Sequence, residues 1–110
     1  MPFFEDLFYE LKDKIVGLAK SEAKEFGDAA VDDGTAWLQK SKENLKEWTL
    51  ALTDGKIDGE FFGWLVASQL KIAEMKLLTQ TGIGLIKIEK FKDAVKHIVV
   101  DTVLTRVLKV

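Results

Sequence analysis

Cysteine is absent from the 110 residues, which removes disulfides, thiolate metal sites and thiol nucleophiles together. That absence fits a reducing cytoplasm, the expected location. Proline occurs once, at position 2, so long helices can run unbroken. Histidine also occurs once, at position 97. No uncharged stretch is longer than Phe61–Leu70, which Lys71 ends well short of the roughly 18 residues that span a bilayer. The start, Met-Pro-Phe-Phe-Glu-Asp, lacks the basic and apolar regions of a signal peptide. Nor is there an excess of positive charge. With 16 Lys and Arg against 18 Asp and Glu, the net charge is −2. General nucleic-acid binding needs a phosphate-neutralising surplus of Lys and Arg, so no nucleic-acid partner is expected.

What is present is unevenly distributed. Residues 1–60 carry 14 acidic and 8 basic side chains, a net of −6, whereas residues 61–110 carry 4 and 8, a net of +4. The basic half is also the more apolar, with 27 of 50 residues against 25 of 60. Two helical halves of opposite charge are expected to pack against each other, within one subunit or between subunits. The length suits one domain with its own core.

Helical periodicity runs through the chain. Phe4, Phe8, Leu11, Ile15 and Leu18 recur at spacings of three and four, a one-faced stripe that follows Pro2, Glu5 and Asp6 in the first turn. The stripe continues in the small residues Ala19, Ala23 and Ala30 around Phe26. Small residues permit close helix approach on a buried face and simply promote helix on an exposed one, and both readings stay open. Asp32-Asp33-Gly34-Thr35 is the expected break, with Thr35 capping a new helix that carries Trp37, Ser41, Leu45, Trp48 and Leu52. The expected helices are therefore about 3–31 and 35–53. A firmer turn spans 54–59, where Asp58 can cap the next helix.

That helix, expected over about 59–81, is apolar round most of its circumference and reads as a central element covered on several sides. After Gly82-Ile83-Gly84 a last helix is expected over about 85–109. Ile88, Phe91, Val95, Ile98 and Val99 share one of its faces, while the pairs Val99/Val100, Val103/Leu104 and Val107/Leu108 form a second stripe. A straight helix would turn the two stripes towards different neighbours. A terminal strand, favoured by Val and Thr, fits the pairwise pattern less well.

Few motifs suggest chemistry. Asp54-Gly55-Lys56-Ile57-Asp58-Gly59-Glu60-Phe61 resembles the second half of an EF-hand calcium loop, which implies ligands at Asp54, the Lys56 carbonyl and Asp58. Leu50 and Leu52 stand where the first ligands belong, and Phe61 replaces the bidentate glutamate, so a helix–turn–helix connector is the expected role. Glu22, Glu25, Asp28, Asp32 and Asp33 lie at helical spacing, but a diiron bundle needs Glu-x-x-His pairs, and Ala94 precedes His97 by three. They read as a solvated face or as the complement of the basic half. His97 reads as a surface residue. Gly82-x-Gly84 lacks the third glycine and the strand of a dinucleotide site. Trp37, Trp48, Trp64, Phe61 and Phe62 read as core unless the fold leaves them at a surface, where they would mark a groove. The basic segment 82–99, with lysines at 87, 90, 92 and 96, resembles a surface-active amphipathic peptide.

The sequence therefore predicts an all-α, antiparallel bundle of three to four long helices completed by homo-oligomerisation. No enzyme, cofactor or metal is expected. The expected function is a self-associating helical scaffold or protein-binding module, with Val99, Val100, Val103, Leu104, Val107 and Leu108 as contact stripe. Phe3, Phe4, Leu7 and Phe8 form a candidate second contact. The alternative is a peripheral membrane or lipid-binding protein that uses the C-terminal helix.

Overall fold

The computed structural model describes residues 2–108, and among these the regular elements are all helical. Six α-helices follow in order: α1 (Pro2–Glu22), α2 (Gly27–Lys40), α3 (Lys42–Thr53), α4 (Gly59–Lys71), α5 (Lys76–Gln80) and α6 (Leu85–Leu108). Position 109, expected at the end of the last helix, lies outside the described residues. The molecule is a rod of 42 × 23 × 23 Å, somewhat longer than its two long helices, α1 and α6, which span about 32 and 36 Å at 1.5 Å per residue.

Contacts along the rod set the directions. Gly27 lies beside Ala19 and Lys20, Gly34 beside Ile15, and Lys42 beside Glu5, so α1 and the α2–α3 segment run antiparallel. Thr102 meets Lys14 and Arg106 meets Glu10, which makes α6 antiparallel to α1. Gly59 lies against Leu104 and Gly63 against Val100, so α4 is antiparallel to α6 as well. The α6 helix packs on α1, α3, α4 and α5, and the short α5 crosses one end of the rod onto α2.

The stripe of α1 becomes core: Phe4, Leu7, Phe8, Leu11 and Ile15 are buried. Ala19, Ala23 and Ala30 are buried too, which resolves the open question in favour of close approach between α1 and α2. Gly34 brings three helices together. A Cβ there would sit 2.8 Å from Ile15 Cγ2 and 3.3 Å from Phe91 Cζ, so only glycine fits between α1 and α6.

The expected break at Asp32–Thr35 is corrected by the structure: those residues lie inside α2. Thr35 Oγ1 donates to the Val31 carbonyl at 2.7 Å, a bond within the helix. The first helix ends instead at Glu22, with a single 3₁₀ turn over Lys24–Phe26. There Lys24 adopts φ +50°, the left-handed conformation that lets the chain reverse. A milder kink falls at Ser41, where the hydrogen bonds Ser41 N–H to Trp37 O and Leu45 N–H to Ser41 O run on across the joint.

Residues 54–58 form the turn between α3 and α4. Lys56 N–H donates to Ala51 O at 2.8 Å and Gly55 N–H to Leu52 O at 3.2 Å, with Gly55 at φ +75°, a Schellman ending for α3. Asp58 then caps α4 by accepting from Phe61 N–H at 2.8 Å. The expected helix over 59–81 is two helices. It ends at Lys71, and the chain restarts at Lys76 because the buried Asp33 carboxylate accepts from Leu77 N–H (3.3 Å) and Leu78 N–H (2.8 Å). A side chain from α2 thus caps α5 across the fold and turns it off the line of α4.

Candidate interaction surface

The α4 helix has two apolar faces. Phe62, Val66 and Leu70 project into the core. Phe61, Trp64, Leu65, Ser68 and Ile72 fall on the opposite side at about 100° per residue. Phe61 is 47% exposed, Trp64 61% and Ile72 76%. The Phe61 and Trp64 rings stack with centroids 5.7 Å apart and planes 16° from parallel. α4 is therefore not the central element its composition implied. It packs mainly on α6 and α3, while Phe61, Trp64 and Ile72 stay exposed on its outer side and Leu65 and Ser68 are half-buried.

The predicted C-terminal stripe is divided between the core and the α4 seam. Val99 and Val103 are buried. Val100, Leu104 and Val107 are half-buried against the core, and the first two meet Gly63 and Gly59 of α4. Leu108 is about half exposed, at 48%. The two stripes of α6 do face two neighbours, but those neighbours are α1 and α4 of the same chain. The candidate second contact is likewise occupied. Phe4, Leu7 and Phe8 are core residues, and Phe3 packs under the Arg106 guanidinium, 5.7 Å from its ring centroid. Continuous apolarity resembles central burial, so the sequence favoured a core role for Phe61 and Trp64 over the surface role that was its alternative.

Charge contributes less to the fold than the two unequal halves suggested. Among the described residues, Glu10–Arg106 is the ion pair that joins the halves. Glu10 also pairs with Lys14 at 3.1 Å, whose ammonium donates to Thr102 Oγ1 at 3.1 Å. The Lys14 hydrogen bond holds the Glu10 carboxyl below its usual value. The Lys14 and Arg106 charges add to this, and desolvation opposes it. The remaining pairs stay within one half: Lys42–Glu5, Lys76–Glu74, Lys92–Glu89 and His97–Asp93. His97 is exposed, 3.4 Å from Asp93.

Among the described residues no group of three His, Asp or Glu side chains could hold a metal ion. The acidic stretch is split by use, since Asp33 caps α5 while Glu22, Glu25, Asp28 and Asp32 face solvent. No helix of the described residues is long and apolar enough to cross a membrane. No family model matches the chain, and no curated protein or solved structure matches it.

Proposed function

We propose that this chain is a non-enzymatic helical interaction protein of the cytoplasm that self-associates through the outer face of α4. The observation that carries this reading is the stacked, exposed Phe61–Trp64 pair, continued by Ile72, on a helix whose other face is already core. A second copy is the occupant that fits. No charge interrupts α4 between Glu60 and Lys71, and these two residues share one flank at opposite ends. Two α4 helices packed antiparallel about a two-fold axis would set each Glu60 beside the Lys71 of the other copy. Aromatic pairs of this kind dominate interfaces because each ring can bury roughly 150–250 Å². Homo-oligomerisation would thus complete the bundle on the α4 side rather than along the Val99–Leu108 stripe.

Light scattering across a hundredfold dilution tests the reading. Wild type should persist as a dimer or larger, and Phe61→Lys with Trp64→Lys should yield a folded monomer with an unchanged helical signal. A wild type that is monomeric throughout would overturn it.

A second reading, contact with a lipid surface, rests on Leu85 and Ile86, which are 71% and 76% exposed beside Lys87 at the start of α6. The rest of the expected lipid face, Ile88, Phe91, Val95 and Val99, is core. Cosedimentation with anionic vesicles that high salt reverses would support it, and its absence would remove it.

A further inference from the structure

At the end of the rod opposite Phe3–Phe8, the corner between α1 and α2 stands away from α5 and the start of α6. The gap is a pocket of about 510 Å³ with Ala23, Phe26, Leu78, Ile83 and Phe91 on its walls. That volume lies within the roughly 300–1,000 Å³ of small-molecule sites. Lysines 24, 87 and 90 line it too, the first from the corner between α1 and α2 and the other two from the start of α6. None of the three has a carboxylate within 4 Å among the described residues, whose ion pairs all lie elsewhere. Glu22 and Glu25 also line the pocket, leaving one positive charge in excess.

Two further features favour an anion here. The first turn of α6, which carries Lys87, holds no acidic residue, so the positive end of the helix dipole adds to the lysine charges there. Lys24 is the one described non-glycine residue at positive φ, a strained conformation of the kind that gathers at ligand sites. Apolar walls under a cationic rim suit a molecule with an alkyl body and an anionic head.

The geometry points to a binding site for one single-chain amphiphilic carboxylate per protein chain. The alkyl chain lies against Phe26, Leu78, Ile83 and Phe91, and the carboxylate meets Lys87 and Lys90. This site is separate from the α4 face, and its occupancy does not depend on self-association.

Calorimetric titration with dodecanoate, below the concentration at which it forms micelles, tests the assignment. One saturable equivalent per chain is expected, with amide shifts confined to residues around Ile83 and Phe91 in an NMR titration. Lys87→Glu combined with Lys90→Glu should weaken binding at least tenfold without moving Tm, because both side chains are at the surface. Lys24→Glu provides an independent rim variant with the same expectation. The assignment fails if dodecanoate shows no saturable binding. It fails equally if dodecanol or dodecyltrimethylammonium binds as tightly, or if the charge reversals leave affinity unchanged.

Discussion

Helices α1 and α4 differ in how they use apolar side chains. α1 alternates charge and grease in a regular stripe, and its Phe4, Leu7, Phe8, Leu11, Ile15 and Ala19 are all buried. α4 is apolar nearly all round, yet it buries only Phe62, Val66 and Leu70. A one-faced pattern tells a helix which side to bury. An all-round pattern does not, and the side left over depends on how many neighbours the topology supplies. α1 packs on α2 and α6 and keeps Phe4, Leu7, Leu11 and Ile15 buried, whereas α4 packs mainly on α6 and α3 and leaves Phe61 and Trp64 exposed. Apolar content therefore measures what a helix could bury, and periodicity measures what it does bury.

The two faces of α4 supply the largest test. Phe62→Ala should cost about 3–5 kcal/mol in denaturant unfolding, as for other buried phenylalanines. Trp64→Ala, two residues away, should change the stability of the monomer by no more than about 0.5 kcal/mol. Equal losses at both positions would mean that α4 is buried all round after all.

The α1 side breaks at Gly34. A larger residue must displace Ile15 or the Phe91 ring, both held in the core, so Gly34→Val should destabilise by about 1–3 kcal/mol. Gly63→Ala on the α4 seam should be tolerated, because its Cβ would meet Val100 only at 4.0 Å. Thermal unfolding of the two variants side by side separates a seam with no room from one with some.

Asp33 comes next. Asp33→Ala leaves the Leu77 and Leu78 N–H groups without their acceptor, and such losses cost about 1–3 kcal/mol. The effect should be local. Amide exchange at Leu77 and Leu78 should accelerate far more than at Leu11 in α1, and uniform acceleration would contradict the capping role.

The smallest effect belongs to Glu10, on the polar side of α1. Its carboxyl is held low in the folded state, so its contribution is fully present above the unfolded carboxylate pKa and is lost as pH falls through the lower folded value. Glu10→Gln should cost roughly 0.2–1 kcal/mol at neutral pH, the range of surface ion pairs. Wild type and variant should converge only once the pH has fallen below that lowered folded value. A gap that persists into acid would assign the loss to packing rather than charge.

Much of the fold was legible from local rules. The α1 stripe, the turn at 54–59, the Asp58 cap and the start of α6 at Leu85 follow from periodicity, glycine and capping chemistry, which act within a few residues. The segment Asp32–Thr35 misled for an instructive reason. Each residue in it looks like a helix breaker, but Asp33 is needed to cap α5, Gly34 to admit Ile15 and Phe91, and Thr35 bonds back into its own helix. The actual reversal puts its positive φ on Lys24 rather than on a glycine, since the nearby Gly27 takes an ordinary helical φ of −56°. The outer α4 face was hidden for the opposite reason, because its residues looked like core.

The sequence by itself determined that the chain is helical, where α4 and α6 begin, and which face of α1 is buried, because hydrogen bonding within a helix and the amphipathic period are local. Tertiary structure decided where the first helix ends, that α4 stops at Lys71, and that Val99 and Val103 are core while Phe61 and Trp64 are exposed. Those outcomes turn on contacts between residues far apart in the chain, such as Asp33 with Leu78 or Gly59 with Leu104. No local propensity encodes which of two apolar surfaces will find a neighbour.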